Sequence, residues 1–181
     1  MLILKIIFTL IVLIGLVVGY AALQPSDYKI SREVKINTSA SIPFALTNDP
    51  RKFDSWNPWR KGDPDAKEWF EGSASGVGAI TQWQDGKKIG TGSSTIIESV
   101  PNSTIGVRLD YKKPFEGTQM AEFAFREEGK QTVVSWSVSG KSNLIQKIFC
   151  MLFMNMEKMI GETFEKGLKD LKVLSEAEVK K

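Results

Sequence analysis

Residues Ile6 to Leu23, IIFTLIVLIGLVVGYAAL, run for 18 positions without a charge. As a helix this is about 27 Å, close to the hydrocarbon thickness of a bilayer. The run is apolar on every side, whereas a core helix normally keeps a polar stripe. It therefore predicts a membrane-spanning helix, with residues 2–23 as the contact to the membrane. Gly19-Tyr20-Ala21 after an early Lys5 has the small-x-small form of a cleavage site, so a secretory signal is the alternative; the length of the run favours an uncleaved anchor. Lys5 precedes the run and Lys29, Arg32 and Lys35 follow it, which leaves the charge signal for orientation ambiguous. A short N-terminus with an early lysine usually starts a translocated C-terminal part, so the expected location is a single-pass membrane protein with its domain outside the cytoplasm.

After Gln24-Pro25-Ser26 the pattern changes to strict alternation. Tyr28, Ile30, Val34 and Ile36 fall on one side, together with Arg32, and Lys29, Ser31, Glu33 and Lys35 on the other, which predicts an amphipathic strand. Two short helices fit Ile42 to Leu46 and Arg51 to Trp56, separated by the breaker Asn48-Asp49-Pro50. Six further strand-like runs follow: Lys67 to Glu71, Ala79 to Gln84, Ile89 to Val100, Thr104 to Tyr111, Gln119 to Arg126 and Gln131 to Ser139. The turns between them carry Gly, Asp-Gly, Pro-Asn or Glu-Gly, as consecutive antiparallel strands require. Three registers are readable, with Ile105, Val107, Leu109 and Tyr111, then Ala121, Phe123 and Phe125, then Val134, Trp136 and Val138 on the apolar side. Ile145 through Leu174 repeat apolar residues at three- and four-residue steps, predicting one long amphipathic helix from Asn143 to Leu174, about 48 Å if continuous. The expected fold class is α+β. A seven-stranded curved antiparallel sheet wraps a long C-terminal helix, two short helices follow the first strand, and one transmembrane helix precedes everything. The corresponding division is 1–24 as anchor or signal, 25–175 as the domain and 176–181 as a frayed, charged tail.

Composition narrows the chemistry. The 181 residues include 24 Lys plus Arg and 21 Asp plus Glu, and this scattered +3 balance makes nucleic acid an unlikely partner. There is no histidine and one cysteine, Cys150, so Ser-His-Asp and Cys-His catalysis are excluded within this chain and a transition-metal site lacks ligands. No cofactor is called for. Asp63, Asp65, Glu68 and Glu71 lack the alternating ligand spacing of a calcium loop and are read as a solvated acidic turn.

Trp56-Asn57-Pro58-Trp59 followed by Asp63-Pro64, Gly76-Val77-Gly78-Ala79, Trp83, Gly90-Thr91-Gly92 and the C-terminal GETFEKGLKDL (Gly161 to Leu171) resemble the SRPBCC superfamily, the START/Bet v 1-like helix-grip proteins. Within it the chain is most similar to the polyketide cyclase/dehydratase and lipid-transport-like branch, over roughly Tyr28 to Leu174. The resemblance implies a cavity between sheet and long helix that receives a hydrophobic small molecule or lipid. Candidate wall residues are Trp59, Trp83, Leu109, Tyr111, Phe123, Phe125, Trp136, Phe153, Met156 and Ile160, with Met151, Met154 and Met159 adding a flexible, polarisable surface. Arg32 is a possible polar contact, and Arg32 and Tyr111 are the polar groups available to polarise a carbonyl. Three functions stay open: a membrane-tethered carrier or sensor, a cyclase/dehydratase-type enzyme on an apolar carbonyl substrate, and a structural or partner-binding domain with a filled cavity. A buried ionisable group facing the cavity favours the second, and a cavity below about 300 Å³ favours the third.

Overall fold

The computed structural model describes residues 2–153 and 155–179. Helix α1 (Leu2–Leu23) leads into strand β1 (Asp27–Ile36), and α2 (Ser41–Asn48), α3 (Pro50–Asp54) and α4 (Pro58–Gly62) follow it. Then come β2 (Lys67–Gly72), β3 (Ala79–Gly86), β4 (Gly90–Val100), β5 (Thr104–Lys113), β6 (Gly117–Glu128) and β7 (Gln131–Lys141), and finally α5 (Leu144–Phe153) and α6 (Met156–Glu178). The seven strands form one antiparallel sheet in the order β1-β7-β6-β5-β4-β3-β2, so only β1 to β7 departs from a simple meander. The registers expected from alternation are present: Ile105 opposes Phe123, Phe123 opposes Trp136, and Val138 opposes both Ile30 and Ala121.

Three expectations are corrected. The predicted single helix is two, because Asn155 has an extended backbone and its side chain accepts from the Lys158 N–H at 2.9 Å, starting α6 afresh. A third short helix, α4, lies within the Trp-Asn-Pro-Trp segment, where Asn57 caps the Trp59 N–H at 3.1 Å and Pro58 takes the first helical position. Helix α6 also continues through Glu178 into the segment expected to fray, and Glu176 Oε1 accepts from the Asn37 backbone N–H at 2.9 Å and its amide at 2.8 Å.

The core is assembled around aromatic rings. Trp56 is fully buried, donates from Nε1 to Leu46 O at 3.1 Å, and meets Phe53, Phe123 and Trp136 edge-on. Trp136 stacks on Phe123 (4.9 Å, 29°) and on Phe164 of α6 (4.0 Å, 13°), tying the sheet to the helix. Helix α6 lies along β1 and β7 and against α2 and α4. That close approach needs Gly167, where a Cβ would stand 2.9 Å from both Pro58 Cδ and Trp136 Cζ3. Because α6 covers the β1/β7 end of the sheet, the inner face of the remaining strands is left partly uncovered.

Gly167→Ala tests this packing. Removing a glycine from a helix interior gains about 1 kcal/mol, but overpacking against Pro58 and Trp136 costs about 1–3 kcal/mol. Net destabilisation is expected as a lower urea midpoint; a higher midpoint would show that α6 has room to spare.

Candidate functional site: a cavity with one acidic corner

The uncovered region is a cavity of about 410 Å³ between α3, α4, α6 and the inner face of β2 to β7. Trp83 on β3, Leu109 and Tyr111 on β5, Phe123 on β6 and Trp136 on β7 point into it by the period-2 rule. Trp59 of α4 and Met156, Met159, Ile160 and Phe164 of α6 close the opposite wall. Phe125 lies elsewhere, buried and edge-on to Phe44 at 5.5 Å beneath α2. The Phe153 side chain and Met154 lie outside the described residues, and Met151 is exposed on α5. One rim is built from exposed Lys113, Phe115 and Glu116 of the β5–β6 turn, with Gln146 of α5.

Each residue of the Trp-Asn-Pro-Trp segment has a separate task. Trp56 fills the core, Asn57 caps α4, Pro58 meets α6 at Gly167, and Trp59 faces the cavity. The acidic segment that follows is not a solvated turn throughout. Asp63 is buried, and its Oδ2 accepts the backbone N–H groups of Lys88 (2.6 Å) and Ile89 (3.1 Å). These bonds, Lys88 foremost, hold its carboxyl below the usual range and pin the β3–β4 turn.

Arg32 is not a cavity group. It shares the inward face of β1, but its guanidinium donates to Glu165 (2.7 Å) and Glu157 (2.9 Å) over Gly161, which keeps it charged at the outer edge of α6. Tyr111 does face the cavity, edge-on to Trp83 at 5.9 Å, and burial pushes its phenol up to about 12, so it remains a neutral hydrogen-bond donor.

The polar group missed by sequence reasoning is Glu68. On β2 the alternation puts Lys67, Trp69 and Glu71 on one side and Glu68 with Phe70 on the other, opposite Trp83. The signal was the period of two in Lys-Glu-Trp-Phe-Glu, obscured by the neighbouring acids. The Glu68 side chain is 9% exposed and lines the cavity. Arg60 Nε stands 3.9 Å from both Glu68 Oε2 and Asp54 Oδ1, while Arg60 Nη1 is engaged by the carbonyls of Asp63 and Pro64. Burial, reinforced by the Asp54 charge, raises Glu68 to about 7 against the opposing pull of Arg60. Asp54 Oδ1 is buried without a hydrogen-bond partner, and a proton on Glu68 is the donor it lacks.

This assignment has a sign that can be measured. The folded protein holds a proton on Glu68 that the unfolded chain releases above 4.5, so stability falls as pH rises from there to about 7 and is flat beyond. The loss amounts to at most about 3 kcal/mol. Urea denaturation across this range should show the decline in the parent chain and a flatter profile in Glu68→Gln; identical profiles would place Glu68 in water.

No protein-family model matches the chain, and no curated protein matches it in sequence. Solved structures do match in shape. One domain's worth of the di-domain ARO/CYC StfQ from the steffimycin biosynthetic pathway superposes with a TM-score of 0.62 at 8% identity, over 86% of this chain and 53% of that one. The Aha1 dimer protein of Colwellia psychrerythraea gives 0.59 at 15% identity, over 82% and 96%. Ara h 8.0201 gives 0.57 at 10% identity, over 82% and 97%. At these identities the likeness establishes the fold alone. The chain is a helix-grip protein: a seven-stranded antiparallel sheet closed by a long C-terminal helix, preceded by one apolar helix long enough to span a membrane.

Proposed function

We propose that this protein is a membrane-tethered carrier or sensor that holds a hydrophobic small molecule or lipid in the cavity between sheet and α6. The observation that carries the proposal is the cavity itself: at about 410 Å³ it lies in the range of ligand sites, and its walls are mainly aromatic and aliphatic. The same volume speaks against a filled, purely structural groove.

The surroundings of the cavity support the tether. Helix α1 leaves nearly all its apolar surface exposed and packs against α5. Lys147 of α5 donates to Gln24 O at 2.6 Å, and α5 exposes Ile145, Phe149 and Leu152. A second depression of about 500 Å³ lies among the end of α1, β1 and α5, lined by Tyr20, Tyr28, Cys150 and Met151. It is an open groove rather than a ligand chamber, but Met156 borders both it and the cavity. An unbranched thioether at that position is a pliable partition between the α1 side and the interior. An anchor retained next to such an opening keeps bilayer lipid at high effective concentration. The uncleaved, single-pass topology with the domain outside the cytoplasm belongs to this proposal.

One observation favours a second reading. Glu68 titrates near neutrality inside an apolar cavity, which is what a general acid or base of a cyclase/dehydratase-type reaction requires. In that reading Glu68 is the acid or base and Tyr111 polarises the carbonyl, a part for which Arg32 was the other candidate in the sequence.

The test uses the full chain, extracted gently from membranes and examined by native mass spectrometry with identification of released compounds. A copurified apolar compound, reduced at least tenfold in an Ile160→Trp variant that fills the cavity, is the expected result. An apo mass for the parent chain that persists after incubation with a lipid extract would overturn the carrier reading. Release of a chemically altered compound would favour the enzyme. Retention of the chain in membranes after alkaline carbonate washing checks the anchor; release would identify a cleaved signal.

A further inference from the structure

The cavity wall is mainly apolar, and at one corner the carboxyl groups outnumber the guanidinium groups. Two carboxyl groups, Asp54 from α3 and Glu68 from β2, face one guanidinium, Arg60 from α4. Arg60 does not satisfy them: its Nε is 3.9 Å from each, beyond hydrogen-bond distance, and its Nη1 is committed to backbone carbonyls. The Glu68 side chain is more than nine-tenths buried, lines the cavity and receives no N–H donor among the described residues. Asp54 Oδ1 is buried without a hydrogen-bond partner. Lys88 and Lys113, the other cations lining the cavity, are exposed, in the β3–β4 turn and at the end of β5. With Glu68 protonated the corner is balanced, one carboxylate against one guanidinium; with Glu68 ionised it lacks one donor carrying one positive charge.

We infer that the ligand supplies it: the cavity is built for an apolar molecule ending in a primary amine, whose ammonium donates to Glu68 while its chain lies along Trp136, Phe123 and Ile160. This inference rests on the ligand-binding reading above and adds the head group. An ammonium carries three donors and a full charge, so it replaces the proton on Glu68 and completes the balance of two carboxylates against two cations. A neutral alcohol offers one donor and no charge. A carboxylate of the same length brings a third negative charge into a low-dielectric site and is disfavoured. The chemistry separates this ligand class from fatty acids, which an apolar cavity alone would accept equally well.

The experiment compares decylamine, decanol and decanoic acid on the full chain in phosphatidylcholine nanodiscs, with 13C-methyl methionine labelling and free concentrations corrected by empty nanodiscs. Met156 and Met159 report on the cavity, while Met120, exposed on the sheet, reports on nonspecific effects. Expected are shifts confined to Met156 and Met159, with decylamine binding at least tenfold more tightly than decanol and decanoic acid weakest. Glu68→Gln should bring decylamine to within about threefold of decanol measured on the same variant. Decylamine affinity in the parent chain should rise between about pH 6 and about pH 8 as Glu68 ionises beside Asp54, Arg60 and Lys88, and decanol affinity should not. This second measurement stands if the Gln variant fails to fold. Equal binding of the three compounds, or preference for the acid, overturns the amine assignment and leaves the apolar-ligand reading intact. No shift at Met156 or Met159 with any of them overturns both.

Discussion

The contact between Trp136 and Phe164 at 4.0 Å is the joint on which the rest of this molecule depends. It joins the middle of β7 to the middle of α6, and Gly167 lets the helix come close enough for it to form. Once α6 is held there it covers β1 and β7, and among the described residues no second long helix covers the other strands. The short helices α2 to α4 reach across from the end of β1 and place Trp56, Phe53 and Trp59 over part of the gap. The cavity is what remains: a consequence of one helix being asked to cover seven strands.

The period-2 pattern made most of the sheet legible. Strands β5, β6 and β7 each carry an apolar residue at every second position through their middle, so Leu109, Tyr111, Phe123 and Trp136 could be placed on the inner face from residues alone. The same rule applied to Phe125 gave the right face and the wrong neighbourhood, because alternation specifies a side of the sheet and says nothing of whether a helix such as α2 covers it. Arg32 shows the same limit, since its inward position on β1 lies under the edge of α6, where two glutamates reach it. The helix break at Asn155 was hidden because apolar spacing continues through it; only the capping bond to Lys158 distinguishes a new start from a continuation.

Glu68 was illegible for a different reason. A glutamate among Asp63, Asp65 and Glu71 reads as surface, and its burial depends on Asp54 and Arg60, which come from other elements. A buried carboxyl weakens the fold as it ionises, whereas a leucine or glutamine at this position would carry no such penalty. A fold retains such a group where it does something packing cannot, and here it stands at the acidic corner of a mainly apolar chamber.

The connection between α1 and β1 consists of Gln24, Pro25 and Ser26. Fully extended, such a link spans about 10 Å, and proline stiffens it further. With α1 embedded as proposed, the domain is held against its own bilayer and has no reach to a facing one. On that proposal a tethered carrier is a fixed station rather than a ferry: its cargo would come from the adjoining leaflet or be handed over by a molecule that comes to it, and any traffic between compartments would belong to that visitor.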